Sequence, residues 1–154
     1  MIIRSGYRRL MDGGTILTKI SNAKRAELVE TARAARENSY SPYSGFKVGA
    51  AILFGGGEVA AGCNVENSSF SLCICAERNA MASAVALGLR DPAAIAIVGE
   101  AGLPCAPCGA CRQFLSEFNP QMEVILEDGG SIRVFKLSEL LPLMFSPKNL
   151  SDAR

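Results

Sequence analysis

The chain has 154 residues, of which 49% are hydrophobic and 20% charged, and its formal net charge is +1. This composition fits one globular domain that buries its own core, and it excludes a long disordered chain. The near-neutral charge argues against a protein that binds nucleic acid by counterion release, and every apolar run is shorter than the roughly 18 residues of a membrane span.

The first 20 residues differ in composition from the rest of the chain. Their four basic side chains are matched by one acidic side chain, Asp12, and Gly13-Gly14 interrupts any regular pattern. The basic residues are not followed by an apolar region typical of a secretory signal. We therefore predict a loosely ordered extension over 1–20, with translation from Met11 as the alternative, and a single folded domain over 21–154.

Hydrophobic periodicity predicts the elements of this domain in chain order. Apolar residues at helical spacing indicate a helix from Ser21 to about Asn38, and Pro42 disfavours its continuation. A hairpin follows, because three consecutive glycines separate two strand-like runs, Phe46–Phe54 and Glu58–Asn64.

The second half of the domain alternates between helices and strands. The predicted elements are a helix from Cys75 to about Leu89, a strand Ala93–Val98, a helix from Cys108 to about Phe118, strands Glu123–Leu126 and Ser131–Phe135, and a short helix from Leu137. The order predicts an α/β domain in which helices cover a mixed five-stranded sheet.

The cysteine and histidine content limits the kinds of catalytic and metal site that the protein can contain. The sequence contains six cysteines and no histidine, which excludes histidine-based nucleophilic triads and zinc sites that need imidazole. In a reducing compartment such cysteines are more often metal ligands or catalytic groups than disulfides. Five of them form two clusters at predicted helix starts: Cys73 and Cys75, then Cys105, Cys108 and Cys111.

Spacing alone leaves the kind of metal site open. A closed structural site with four thiolates and an iron–sulfur cluster are both alternatives, whereas Cys63 lies in a strand and is read as a small buried hydrophobe. Glu77 favours a catalytic zinc site, because a carboxylate two residues after Cys75 is not needed as a ligand but can move protons at an open metal position. Cys-x-Glu followed by Pro-Cys-x-x-Cys is the signature of the zinc deaminases.

The charge of such a site needs compensation. Three thiolates and Zn²⁺ sum to −1, which hinders ionisation of a bound water. Both cysteine clusters begin helices, whose N-termini each contribute about +0.5 of a charge, and we expect Arg78 to donate hydrogen bonds to sulfur. The role of Arg112, beside the second cluster, is left undecided.

At these residues the sequence resembles the cytidine deaminase family in its short-chain form. The resemblance covers about residues 25 to 150 and runs through Tyr40–Ala51, Gly62–Asn67, Cys75–Arg78, Pro107–Gln113 and Glu139–Pro142. It implies the cytidine deaminase fold for the catalytic domain over 21–154 and one zinc ion per chain. The ligands that it implies are Cys75, Cys108 and Cys111, with Cys73 and Cys105 as bystanders.

The resemblance also implies roles for other side chains. Glu77 is the catalytic acid and base, and Asn64 and Glu66 hydrogen-bond the ribose. Further substrate contacts are implied for Phe46 against the pyrimidine, the backbone of Ala76 at the base, Phe70 where the family commonly has tyrosine, and Phe145 inserted by a neighbouring subunit.

The activity implied is hydrolytic deamination of cytidine and deoxycytidine to uridine and deoxyuridine, in cytoplasmic pyrimidine salvage, by a homotetramer with shared active sites. No nucleic-acid or membrane partner is implied. Three rivals are weighed. A nucleotide or nucleic-acid deaminase is disfavoured because Glu66 would repel phosphate. A deaminase of an aminoacyl-nucleoside antibiotic is disfavoured because the sugar-binding pair is intact. A non-enzymatic zinc module is disfavoured because it would not need Glu77.

Overall fold

The structure is a computed structural model that describes residues 20–100 and 103–151. Within these ranges five strands form one sheet with helices packed against it. The extension expected over 1–20 lies outside the described residues except for Ile20, which packs against buried apolar side chains of the core. No helix in the described ranges is long and apolar enough to cross a membrane.

The elements follow the predicted order. The helices are α1 (Asn22–Arg36), α2 (Ala76–Ala86), α3 (Gly109–Ser116), α4 (Leu137–Leu140) and α5 (Pro147–Ser151), and the strands are β1 (Gly49–Phe54), β2 (Val59–Cys63), β3 (Pro92–Val98), β4 (Glu123–Asp128) and β5 (Ser131–Lys136). The sheet order is β2-β1-β3-β4-β5; β3 and β4 pair in parallel and the other neighbours antiparallel. The prediction of a mixed five-stranded α/β sheet is confirmed.

Several element ends differ from the prediction. Strand β1 begins at Gly49 instead of Phe46, because the preceding residues form a loop that hydrogen-bonds to Asn64 and Glu66. Helix α2 ends at Ala86, and the chain then turns at Gly88, whose φ is +85°. The 3-10 turn at Phe70–Leu72 and helix α5 were not predicted, since both are too short to show a hydrophobic period.

Both faces of the sheet are buried at the inner strands β1 and β3. Alternate residues of β1 point to opposite sides, so that Ile52 packs in the cluster that contains α2, while Leu53 packs in the cluster that contains α1. Strand β3 alternates in the same way through Ile95 and Ala96. This two-sided burial explains why both strands read as continuous apolar runs.

Two glycines let helices approach the sheet closely. A Cβ atom at Gly62 of β2 would lie 2.6 Å from the backbone nitrogen of Ala80 in α2, and one at Gly49 of β1 would collide with the backbone of α1. Any larger residue would therefore push the helix away. The contact at Gly62 matters for the site, because it fixes the height of α2 above the sheet.

Candidate metal centre and active site

Three cysteine sulfurs converge where α2 and α3 begin. Cys75 is the N-cap residue of α2, Cys108 is the N-cap of α3, and Cys111 lies in the first turn of α3. Neither N-cap side chain is used for a capping hydrogen bond. The sulfur atoms therefore remain available to a ligand, and both positive helix ends face the cluster.

The cluster fits a tetrahedral zinc ion with three protein ligands. The Sγ atoms of Cys75, Cys108 and Cys111 all lie within 4.8 Å of one another. Zinc–sulfur bonds of about 2.3 Å place two ligand sulfurs on the order of 4 Å apart in a tetrahedron. Thiolates are soft ligands that select zinc over magnesium or calcium, so the donor set and its spacing agree with zinc.

Ionisation within the cluster is favoured at one sulfur. A hydrogen bond from the Cys111 thiol, helped by Arg78, lowers the pKa of Cys75 to about 5 although the residue is partly buried. The same hydrogen bond and burial raise the pKa of Cys111. Cys75 thus offers a ready-made thiolate, and metal binding drives the other protons off.

The remaining cysteines do not belong to this group, although Cys105 lies close enough to Glu77 and Cys75 for their charges to act on its thiol. The Cys73 sulfur accepts a hydrogen bond from the backbone of Asn67 at 3.3 Å, and the Cys63 thiol donates to the backbone oxygen of Asn38 at 3.3 Å. Burial raises the pKa of Cys105 to about 11, which keeps that thiol neutral. Of the two overlapping Pro-Cys-x-x-Cys frames, the structure brings together the one that contains Cys108 and Cys111.

Glu77 is the buried carboxyl of the site. It occupies the first turn of α2, its relative exposure is 4%, and no other charged residue in the described ranges is buried to this degree. Burial raises the pKa of Glu77, and the neighbouring Cys75 adds to the effect. A buried carboxyl beside a metal-binding group is a candidate for accepting and donating protons.

Two arginines flank the cysteines and differ in their contacts. Arg78 Nη2 lies 3.8 Å from the Cys75 sulfur and donates to the backbone oxygen of Cys73 at 3.1 Å. Arg112 Nη1 instead donates to the backbone oxygen of Leu140, next to the end of α4. The structure therefore places Arg78 against the thiol cluster, whereas Arg112 connects α3 to α4.

Asn64 is held by three hydrogen bonds within the protein. Its Oδ1 accepts from the backbone nitrogen of Val48 at 2.8 Å and from the Ser39 hydroxyl at 2.5 Å, and its Nδ2 donates to the backbone oxygen of Phe46 at 2.9 Å. An amide oxygen has two acceptor sites and an amide nitrogen has two protons. Asn64 can therefore offer a ligand one N–H donor and no acceptor.

Glu66 lies two residues after Asn64, and its carboxylate is held by hydrogen bonds from Tyr43 and Ser44. Its Oε2 accepts from the backbone nitrogens of Tyr43 at 2.9 Å and Ser44 at 3.2 Å, and its Oε1 accepts from the Ser44 hydroxyl. Sequence reasoning missed Ser44 and Ser39, because a serine in a Pro/Gly-rich segment reads as turn chemistry. The only signal was their position within or beside the Tyr40–Ala51 motif.

The aromatic residues of interest are partly exposed. The Phe46 ring approaches Gly99, where a Cβ atom would lie 3.3 Å from its Cζ. Phe70 is 72% exposed and packs edge-on against Tyr43, with ring centroids 5.8 Å apart. Phe145 is exposed, and its backbone is held by two hydrogen bonds to the Gln113 side chain.

The last features to place are Ala76 and a cavity lined by charged residues. Ala76 is fully buried at the start of α2, so only its backbone can contact a ligand. A cavity of about 260 Å³ lies elsewhere, and its lining mixes both signs of charge: Arg36, Glu37, Gly45, Lys47 and Glu100. It contains no residue of the thiol cluster.

Comparison with known proteins gives consistent results. The profile of a family described as the cytidine and deoxycytidylate deaminase zinc-binding region matches residues 22–127. A cytidine deaminase of Halalkalibacterium halodurans is 45% identical over 130 residues, which are 83% of this chain and 98% of that protein. A blasticidin-S deaminase of Bacillus cereus is 31% identical over 107 residues, which are 64% of this chain and 76% of that protein.

A solved structure agrees with these sequence relatives. The crystal structure of a cytidine deaminase from Burkholderia pseudomallei superposes with a TM-score of 0.75 and 53% sequence identity. The match covers 78% of this chain and 98% of that one.

Proposed function

This chain belongs to the cytidine and deoxycytidylate deaminase family, and we propose that Cys75, Cys108 and Cys111 hold its zinc ion while Glu77 moves the protons of its reaction. The protein is a zinc-dependent hydrolase that deaminates cytidine to uridine and ammonia. The observation that carries the residue assignment is the buried Glu77 carboxyl beside a group of three converging thiols.

The proton transfers follow from the surroundings of Glu77. When bound, a zinc ion with three protein ligands and one open position supplies a nucleophilic water at neutral pH. The Glu77 carboxylate takes one proton from the attacking water and delivers it to N3 of the cytosine. It then takes the second proton of that water, from the hydroxyl group now on C4, and delivers it to the amino group, which leaves C4 as ammonia. The raised pKa of Glu77 lets the carboxyl keep the proton between these transfers.

Arg78 and the helix ends offset negative charge at the thiolates. Arg78 contacts the Cys75 sulfur and is held by the backbone oxygen of Cys73. A cation fixed at this position withdraws charge from the sulfur, which makes the metal a stronger electrophile. We assign Arg78 this supporting role and give Arg112 none in the reaction.

The sugar of the substrate is bound by Asn64 and Glu66. Asn64 has one free donor and Glu66 has one free acceptor direction, so together they suit hydroxyl groups, which both accept and donate. Glu66 also disfavours a phosphate by charge repulsion. We therefore propose cytidine and deoxycytidine as substrates, in preference to the 5′-monophosphate and the free base.

The base is bound by the aromatic and backbone groups near the thiols. Phe46 packs against the pyrimidine ring, the backbone of Ala76 hydrogen-bonds the base, and Phe70 lines the entrance. Phe70 and Phe145 are 72% and 58% exposed in one chain, and such exposure of large aromatics is typical of surfaces that bind ligands or other subunits. We propose a homotetramer in which Phe145 completes the site of a neighbouring chain.

We place the enzyme in the cytoplasm, in the salvage of pyrimidine nucleosides. All six cysteines are free thiols, which suits a reducing compartment. The substrate that the site binds, an unphosphorylated nucleoside, is the form in which salvage begins. No nucleic acid or membrane takes part in this proposal.

The deciding experiment measures turnover and metal together. Steady-state deamination, followed by the loss of cytidine absorbance, should proceed with cytidine and deoxycytidine and should be poor with cytidine 5′-monophosphate and cytosine. Zinc content on the same sample should be one per chain. A polar group left without a partner in the complex costs about 1–3 kcal/mol, so cytosine, which lacks the sugar, should lose about 5- to 150-fold in kcat/KM. Comparable turnover of the monophosphate would contradict the sugar-site assignment.

A blasticidin-S deaminase activity is the second candidate, because a relative with that name matches 64% of this chain. The same assay with blasticidin S discriminates the two activities. We expect cytidine to be the better substrate, since both residues of the proposed sugar-binding pair, Asn64 and Glu66, are present in this chain.

A further inference from the structure

A network of four hydrogen bonds centres on Ser44, a residue with no assigned role. The Ser44 hydroxyl donates to Glu66 Oε1, and the same oxygen of Ser44 accepts from the backbone nitrogen of Phe46 at 3.0 Å. The backbone nitrogens of Tyr43 and Ser44 donate to Glu66 Oε2 at 2.9 and 3.2 Å. The Ser44 side chain thereby joins the Tyr43–Phe46 segment to Glu66, which lies 22 positions after Ser44 in the sequence.

The backbone around Ser44 is shaped so that its hydroxyl can make both contacts. Gly45 has a φ of +69°, a conformation that other residues rarely adopt, and its nitrogen donates to the backbone oxygen of Ser41 at 3.0 Å. This turn brings the Phe46 nitrogen back onto the Ser44 hydroxyl. One hydroxyl thus connects the carboxylate of Glu66 with the backbone of Phe46.

The network leaves Glu66 with one well-defined acceptor site. A carboxylate has about four lone-pair directions, two on each oxygen. Two backbone donors fill Oε2, whereas Oε1 accepts from Ser44 alone. Oε1 therefore retains a free direction toward a ligand, and the Ser44 hydroxyl fixes where that direction points.

We propose that Ser44 is a positioning residue for nucleoside recognition, which aligns Glu66 Oε1 with a sugar hydroxyl and couples that alignment to Phe46 at the base. The inference rests on the proposed sugar-binding role of Glu66. Without Ser44, the two backbone donors still hold Oε2, but the carboxylate can rotate about them. Sugar affinity then falls while the proton chemistry at Glu77 is untouched.

The electrostatics of Glu66 support this role. The hydrogen bond from Ser44 is the main cause that lowers the pKa of Glu66, with the backbone donors of Tyr43 and Ser44 adding to it. The side chain is therefore ionised and oriented before substrate arrives. Preorganisation of this kind improves affinity because less ordering remains for the bound state.

The test compares Ser44→Ala on two substrates. With cytidine, KM should rise about tenfold, the effect expected for the loss of one hydrogen bond to a charged group, while kcat changes less than twofold. With 2′,3′-dideoxycytidine, which keeps only the 5′-hydroxyl and lacks the 2′- and 3′-hydroxyls that Glu66 would bind, kcat/KM should be nearly the same for the variant and the parent. Ser44→Thr keeps the hydroxyl and should restore the cytidine KM.

Controls separate this role from general loop damage. Ser41→Ala removes a hydroxyl in the same loop that contacts Ser39 and none of the substrate-binding side chains, and it should leave kcat/KM for cytidine within twofold. An unchanged cytidine KM in Ser44→Ala overturns the proposal. An equal loss on cytidine and dideoxycytidine also overturns it, because the effect would not pass through Glu66.

Failure of the underlying sugar-site assignment gives a different result. If Glu66 does not bind the sugar, Glu66→Gln leaves the cytidine KM unchanged and the parent enzyme does not distinguish cytidine from dideoxycytidine. If Glu66 does bind it but Ser44 plays no part, Glu66→Gln raises the KM and Ser44→Ala does not.

Discussion

Burial separates Glu77 from every other acidic side chain in the described part of the chain. The other described acidic side chains are exposed or half-buried, but Glu77, in the first turn of α2, is buried and its pKa is raised by that burial. Its contacts are the thiols and not an arginine partner of its own. A buried carboxyl without an ion-pair partner lowers the stability of the folded protein, so the presence of Glu77 is best explained by a role in proton transfer.

Glu77→Gln should keep zinc, the fold and substrate affinity while losing nearly all turnover. Glutamine preserves size and hydrogen bonding but cannot accept a proton. Removal of a general acid or base typically lowers the rate about 10²–10⁴-fold, and we expect the upper end, since one carboxyl serves several transfers. The measurements are kcat, zinc content and cytidine binding on one sample. Near-normal kcat with zinc retained would refute the mechanism, and lost zinc would make Glu77 a ligand.

The two overlapping cysteine frames give different outcomes on mutation. Cys111→Ala should lose zinc and much stability, because a structural-strength thiolate site contributes on the order of 10 kcal/mol. Cys105→Ala and Cys73→Ala are the matched controls and should each retain one zinc per chain. Metal analysis after gel filtration checks both. Zinc loss in Cys105→Ala with retention in Cys111→Ala would reverse the ligand assignment.

The sequence was sufficient to predict which residues gather at the thiol cluster but not what holds the sugar-binding pair. Spacing indicated a thiolate metal site but left two overlapping Pro-Cys-x-x-Cys frames open, and the choice of Cys75, Cys108 and Cys111 came from the family resemblance. The partners of Asn64 and Glu66 come from residues 16 to 25 positions earlier in the chain. Such contacts depend on how β2 lies beside the preceding loop, which periodicity does not encode.

At the scale of elements, the position of α2 is set by its contact with β2. Gly62 allows the helix backbone to approach so closely that a Cβ atom would lie 2.6 Å from the Ala80 nitrogen and 3.0 Å from the Ala76 oxygen. Asn79 adds a second tie, since its Nδ2 donates to the backbone oxygen of Cys63 at 3.0 Å. Both contacts fix the end of α2 that carries Cys75 and Glu77.

Gly62→Ala should destabilise the protein and lower its activity. The added methyl group meets helix backbone, which cannot give way as a side chain would, and overpacking of this kind costs about 1–3 kcal/mol. The displaced helix also moves Glu77 relative to the thiols, so kcat should fall more than KM rises. Gly109→Ala is the control for stability, because a Cβ atom there meets nothing within 4 Å. A melting temperature of Gly62→Ala equal to the parent value would contradict the prediction.

Element order was predictable and element ends were less so. Continuous apolar runs predicted β3 and the later part of β1 because these strands are buried on both faces. The first residues assigned to β1 from the sequence instead form the loop at Phe46, where hydrogen bonds to side chains of a distant segment replace strand pairing. Long-range side-chain contacts of this kind override local propensity.

At the scale of the whole molecule, the exposed apolar residues point beyond one chain. Leu143 and Phe145 are 97% and 58% exposed, although they belong to a segment held in place by Gln113. An ordered backbone that presents large apolar side chains to solvent is typical of an interaction surface. This is the observation behind the proposed homotetramer.

Complementation between variants tests whether sites are shared. Light scattering should report four chains, and Phe145→Ala should raise the cytidine KM tenfold or more, since burial of a phenylalanine contributes about 1.5–3 kcal/mol. Mixed tetramers of Phe145→Ala and Glu77→Gln chains should recover activity, because some sites then combine an intact Glu77 with an intact Phe145 of another chain. A fully active monomer, or no recovery in verified mixed tetramers, would refute the arrangement.

The placement of the ligands on two helices has a topological consequence. Cys75 precedes β3 and Cys108 follows it. A metal ion bound to both cysteines would therefore cross-link the two ends of the segment that contains β3, the central strand of the sheet. A cross-link of this span lowers the conformational entropy of the unfolded chain by the equivalent of about 3 to 4 kcal/mol. Because both ends of the segment that contains β3 would be tied to one ion, opening of β3 should be rarer in the zinc-loaded protein. Amide hydrogen exchange in β3 should therefore accelerate on chelation more than exchange in the edge strand β5.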